Sequence, residues 1–199
     1  IFVCLCFLFI INGSNLIDGF NGLLSIHSLI ILTILFLINF TNETNNLEYI
    51  LFFIVIFILI FFKFNFPNAE MFLGDGGSYL IGAFVSIATI NTSFFNPDIS
   101  PFFFCILLFY LFFEVFFSFF RKIFVANQSP LLPDNQHLHM RVYKFLLKRN
   151  YTKLKANYST SLYINLIYLI LIFPGIILLE NFLFCKYYFI FLLLVYIYF

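Results

Sequence analysis

The chain has 199 residues, 63% of them hydrophobic and only 10% charged, with a net charge of +1 and a mean hydropathy of +1.06. A water-soluble domain cannot hide that much apolar surface in one core, so the chain belongs in lipid. No nucleic-acid partner is expected. The 35 Phe residues and the absence of Trp reflect nucleotide composition more than function and carry no weight here.

The first apolar run, 1–11, is shorter than the roughly 20 helical residues that cross a bilayer core. It has neither the charged start nor the small-residue cleavage site of a signal peptide. It is read as the remainder of a span in an N-terminally truncated fragment of a larger bundle. Full spans are expected near 23–40, 49–64, 76–90, 101–120 and 161–179, with a second partial run at 187–199. The fold class is therefore an all-α, polytopic transmembrane helix bundle, one integral membrane domain over 1–199. Cys4, Cys6, Cys105 and Cys185 lie in or beside apolar runs, without the clustering that zinc requires, and read as reduced filler.

The connections alternate in character. Residues 41–48 and 91–100 hold amides, hydroxyls and acids without one Lys or Arg, whereas 121–160 holds eight of the ten basic residues. The positive-inside rule makes 121–160 a cytoplasmic basic loop. Counting crossings back from it puts 67–75 and 12–21 on the same cytoplasmic face, so three unusual polar segments point to one composite site.

The first segment carries Asn12, Asn15, Asp18, Gly19 and Asn21. Asn12, Asn15 and Asp18 are three apart and share one face if helical; alternatively they form an interfacial turn, with Asp18 or Asn21 capping the next helix. Free N–H groups at such a helix start also suit a phosphate or a uracil carbonyl. The second segment carries Asn65, Phe72 and Asp75, with Asp75 set between glycines at a membrane boundary, where a carboxylate calls for a cation. Mg²⁺ takes few protein carboxylates and completes its shell with water and phosphates, so one acid per segment suits it. The bland alternative is an ordinary helix cap. The third segment, within the basic loop, runs from Ser129 through Pro130, Pro133 and Asp134 to His137, His139 and Arg141. Its alternating His137, His139 and Arg141 suit an extended strand or loop facing a polyanion. The run from Lys144 to Lys155 reads as a helix facing solvent or headgroups. Glu114, inside the 101–120 run, reads as part of a polar seam with Ser118 that snorkels toward Arg121.

Taken together, Asn-x-x-Asn-x-x-Asp-Gly-x-Asn-Gly-Leu, Phe-Leu-Gly-Asp-Gly-Gly-Ser and Ser-Pro-x-x-Pro-Asp-x-x-His-Leu-His resemble the polyprenyl-phosphate N-acetylhexosamine-1-phosphate transferases, glycosyltransferase family 4. The order and relative spacing match from Asn12 to about Arg141. Members begin O-antigen, common antigen or teichoic acid synthesis, and the phospho-N-acetylmuramoyl-pentapeptide transferase of peptidoglycan synthesis is a relative. The resemblance implies a bacterial inner-membrane enzyme that moves a sugar 1-phosphate from a UDP-N-acetylhexosamine to undecaprenyl phosphate, releasing UMP and using Mg²⁺. Carried over, Asp75 is the Mg²⁺ ligand and Phe72 stacks on uracil. Asn65 belongs to the uridine pocket, and Asp18 sits beside the metal and diphosphate, oriented by Asn15 and Asn12. His137, His139 and Arg141 close over the nucleotide diphosphate.

Three departures accompany the resemblance. Asn21 stands where many members have a second Asp, which keeps hydrogen bonding to uracil but removes a charge. Met140 stands where many have another His. The family's Asp-Asp motif lies upstream of the first segment, and no adjacent carboxylate pair occurs in this chain, so part of the metal site is expected from preceding residues. A transporter would place its polar residues along a mid-membrane path instead, and a scaffold would fold but transfer nothing.

Overall fold

The computed structural model describes residues 2–41, 47–125, 127, 129 and 136–198. Part of the acidic and amide connection at 41–48, residues 42–46, lies outside the described residues. So does 130–135 of the third polar segment, including Asp134. The described residues form α1 (Phe2–Ile17), α2 (Leu23–Thr41), α3 (Leu47–Asn65), α4 (Gly74–Phe95), α5 (Pro101–Phe120), α6 (Leu138–Lys148), α7 (Lys153–Ile177) and α8 (Phe182–Tyr198). A π-helical turn, Arg121–Val125, continues α5.

Five helices are long and apolar enough to cross a membrane: α2, α3, α4, α5 with its continuation, and α7. The protein is a polytopic membrane helix bundle. Its outward side chains agree with that medium: Phe57 is 78% exposed and Phe94 77% exposed, while α3 presents most of its apolar surface outward. Such a surface is stable against lipid tails and would aggregate in water.

Local chemistry explains where helices outrun the apolar runs. α7 starts at Lys153, eight residues before the expected span, because Thr152 caps it: its Oγ1 accepts the Lys155 N–H at 3.3 Å. α5 begins at Pro101, whose fixed φ suits the first helical position. α4 continues to Phe95 through polar Asn91 to Ser93. There Asn39 Nδ2 of α2 donates to Thr92 Oγ1 at 2.7 Å, tying the two helices together. α1 runs through Asn12, Gly13, Ser14 and Asn15, so the helical alternative holds there, and the turn is confined to 18–22. Asn12 Nδ2 and Ser14 Oγ donate back to the Leu8 and Ile10 carbonyls, which satisfies both groups inside the helix.

α1 packs between α4 and α5, α2 lies against α3, α4 and α7, and α8 covers another side of α5. Buried polar bonds act as glue between spans. His27 Nδ1 lies 3.1 Å from Asn165 Oδ1, and Asn165 Nδ2 donates to the Leu23 carbonyl at 3.2 Å, joining α2 to α7. α1 and α4 approach closely at Gly82, where a Cβ would lie 2.8 Å from the Ile11 Cα and 2.8 Å from Ser14 Oγ. Because backbone and not a flexible side-chain tip blocks that space, Gly82→Ala is expected to destabilise the bundle by about 1–3 kcal/mol, read as a lowered melting temperature of the purified protein. An unchanged melting temperature would mean that the helices separate without penalty.

Candidate functional site

The turn at 18–22 is the meeting point of the three polar segments. Gly22 adopts φ +81°, which glycine tolerates, and this bends the chain sharply from α1 into α2. Its N–H donates to Asn65 Oδ1 at 2.7 Å, while Asn65 Nδ2 donates to the Met71 carbonyl at 2.9 Å. One buried amide at the end of α3 thus fixes both the turn and the loop that carries Phe72. Asn21 adds a second tie: its Nδ2 donates to the Pro67 carbonyl at 2.7 Å, and its N–H donates to Asn157 Oδ1 of α7 at 2.8 Å. Both Asn21 and Asn65 therefore spend amide groups on holding backbone.

Across the start of α4 the first segment bonds the second again. Ser78 Oγ donates to Asn15 Oδ1 at 2.7 Å, and Asn15 Nδ2 donates to Tyr79 Oη at 3.1 Å. Asp75 is exposed in the first turn of α4, where helix N–H groups favour an anion. Leu73 stands at the N-cap without a side-chain cap bond, and Gly74 before Asp75 has φ +64°. The Asp75 carboxylate lies near Asp18. Burial, and then the charge of Asp75, push the Asp18 carboxyl up to about 6. Phe72 is 74% exposed, leaving its ring faces open to a planar base. Gly19 is exposed at the tip of the turn, and Asn12 is exposed one turn of α1 before Asn15.

The third segment reaches the same turn through aromatic contacts. The Phe20 ring meets His139 edge-on at 5.4 Å and Tyr143 at 5.3 Å. The expected extended strand or loop is corrected here. His137 is the N-cap of α6, its carbonyl accepts the Arg141 N–H at 3.0 Å, and His139 and Arg141 are helical. Both imidazoles are buried, with rings stacked at 5.3 Å. The physical reason is Glu114, only 1% exposed, whose carboxylate captures the start of this helix. His137 Nδ1 lies 2.8 Å from Oε2, the Leu138 N–H donates to Oε1 at 3.1 Å, and His139 Nδ1 is 3.9 Å from Oε1. Burial, together with His137, pulls His139 down to about 4 against the opposing pull of Glu114, so its ring is neutral at pH 7. Sequence reasoning assigned Glu114 to a seam and missed this role. The signal was present, since an acid inside an apolar span demands a partner, and a His pair follows on the next segment.

The sequence profile described as glycosyl transferase family 4 matches residues 1–93. An undecaprenyl-phosphate alpha-N-acetylglucosaminyl 1-phosphate transferase of Thermotoga maritima is 32% identical over 139 residues, covering 70% of this chain and 41% of the relative. A phospho-N-acetylmuramoyl-pentapeptide-transferase of Dictyoglomus turgidum is 32% identical over 140 residues, covering 69% of the chain and 44% of the relative. Another of that description, from Lactococcus lactis subsp. cremoris, is 37% identical over 79 residues, covering 40% and 24%. The matched part of the chain thus spans less than half the length of these relatives. No solved structure matches the chain. Residues 1–93, which carry Asp18, Asn65 and Asp75, match glycosyl transferase family 4, and relatives on both the N-acetylglucosaminyl and the N-acetylmuramoyl-pentapeptide side support that family for the chain.

Proposed function

We propose that the chain forms part of a bacterial plasma-membrane enzyme that transfers N-acetylhexosamine 1-phosphate from a UDP-sugar to undecaprenyl phosphate, releasing UMP at the start of cell-envelope polysaccharide synthesis. The observation that carries this reading is the single turn at 18–22, bonded or packed against both other polar segments. In the reaction, an oxygen of the lipid phosphate attacks the phosphorus attached to the sugar. The new P–O bond makes a lipid diphosphate sugar, and the bond to the UMP phosphate breaks with its electron pair.

Bringing these anions together requires positive charge and fixed donors. Asp75 and Asp18 fit Mg²⁺: they are two oxygen donors at a polar boundary whose mutual repulsion a divalent cation relieves. Among the described residues no three His, Cys, Asp or Glu side chains gather around one ion, so phosphate and water would fill the rest of the shell. Bound there, Mg²⁺ would offset charge on the diphosphate and on the departing UMP. Phe72 offers a stacking face to the uracil, while Asn65 and Asn21 set the loop that presents it. Asn15, bonded to Ser78 and Tyr79, holds the end of α1 against α4 and so fixes the spacing of Asp18 from Asp75. His139 packs edge-on against Phe20 of that turn and His137 is held on Glu114, and in this reading the two imidazoles serve the nucleotide diphosphate from the start of α6.

The test is transfer of labelled N-acetylhexosamine phosphate from UDP-sugars to undecaprenyl phosphate by the full-length protein in membranes, with Mg²⁺ or EDTA. Metal-dependent lipid product with UMP release supports the reading; a folded protein inactive with every UDP-sugar is a scaffold. Protons compete with the cation for Asp18. Ionised Asp18 predominates above about pH 6 and protonated Asp18 below it, so the Mg²⁺ concentration for half-maximal activity is expected to rise as pH falls through 6. A flat dependence between pH 5 and 7 would remove Asp18 from the metal's surroundings.

A further inference from the structure

A second polar and apolar combination lies on the other side of α5. A groove of about 530 Å³ opens between the end of α5, the start of α6 and the end of α8. Its wall is apolar: Phe117, Phe120 and Ile197, with the Tyr196 ring stacked on Phe117 at 5.2 Å. Arg121, Arg141 and Gln136 line the same groove at the level where α5 leaves its apolar stretch. We infer that this groove binds an anionic phospholipid of the surrounding bilayer, its phosphodiester on the two guanidiniums and one acyl chain along the phenylalanine wall.

Charge complementarity selects the occupant. Guanidinium groups bind phosphate oxygens in pairs, and basic pockets between spans take anionic headgroups. A zwitterionic headgroup brings a cation that Arg121 and Arg141 repel, and a nucleotide has no acyl chain to cover the length of the apolar wall formed by Phe117, Phe120 and Ile197. Asp18 and Asp75 are carried by elements on the α1 side of α5, away from this groove on its α8 side, whereas Arg141, which the resemblance sets over the nucleotide diphosphate, lines the groove together with the start of α6. Leu138 lines the groove and sits between the two imidazoles on Glu114, so a seated lipid would also brace the start of α6. The inference stands on this geometry and not on the transferase reading.

The test is native mass spectrometry of the full-length protein in detergent with phosphatidylglycerol, phosphatidylcholine or undecaprenyl phosphate added. Phosphatidylglycerol is expected to be retained over phosphatidylcholine, and Arg121→Gln to weaken its retention about tenfold, the loss of one charge-assisted contact. Arg121→Lys should keep most of the retention, and Lys148→Gln, outside the groove, should keep all of it; equal melting temperatures show that each variant folds. Equal retention of both phospholipids, or equal losses in Arg121→Gln and Lys148→Gln, overturns a specific site. Retention of undecaprenyl phosphate alone overturns the occupant.

Discussion

Asp75→Asn is expected to lower sugar-phosphate transfer by roughly a hundred- to a thousandfold, with KM for the UDP-sugar changed far less than kcat. The substitution keeps size and hydrogen bonding, and Asp75 is exposed in the first turn of α4 with no packing to lose. Folding is therefore expected to be unaffected, and the loss reads the carboxylate's charge. A second outcome follows from the Asp18 environment. With the neighbouring negative charge removed, one of the two causes holding Asp18 up disappears, so its titration moves down toward the ordinary carboxylate range. Transfer assays across Mg²⁺ concentrations check the first part. Full activity in a folded Asp75→Asn protein would remove the metal from α4 and with it the proposed mechanism.

Glu114→Gln is expected to be nearly as damaging although Glu114 touches no substrate in this reading. The carboxylate accepts from both the Leu138 N–H and His137 Nδ1, which holds a proton on Nδ1 and fixes the orientation of the ring. A glutamine cannot accept at both places. One of its ends donates, so either Leu138 N–H faces a donor or the His137 proton shifts to Nε2. Transfer is expected to fall about a hundredfold, as for other residues that orient a working imidazole. Glu114→Ala removes both acceptors from a buried site and should cost about 3–5 kcal/mol of stability. The two variants separate positioning from folding: a Glu114→Gln protein that melts like the wild type and transfers at the wild-type rate would reduce the residue to a helix anchor.

The spans were legible because apolar length is a direct requirement of the bilayer, and the described helices α2, α3 and α5 keep close to their apolar runs. Helix ends were less legible, since they depend on caps and interhelical bonds: Thr152 starts α7 early, and Thr92, bonded to Asn39, lies in the extension of α4. The convergence of the three polar segments was legible from the charge asymmetry of the connections. What each polar side chain does there was not. Asn21 and Asn65 looked like groups for uracil, yet both hold backbone across contacts of more than forty residues in sequence, invisible to any local pattern. The His pair looked like an extended strand or loop because the partner that buries it, Glu114, sits 23 residues upstream inside the α5 span.

The bonds that close the turn at 18–22 join uncharged side-chain amides to backbone groups. Screening by dissolved salt acts on separated charges and leaves such short neutral bonds untouched. The framework of the site is thus indifferent to ionic strength, while the attraction of a diphosphate to it is not. A fall in rate with added salt then measures the capture of the charged ligands, diphosphate and Mg²⁺, not a loosening of the turn that receives them.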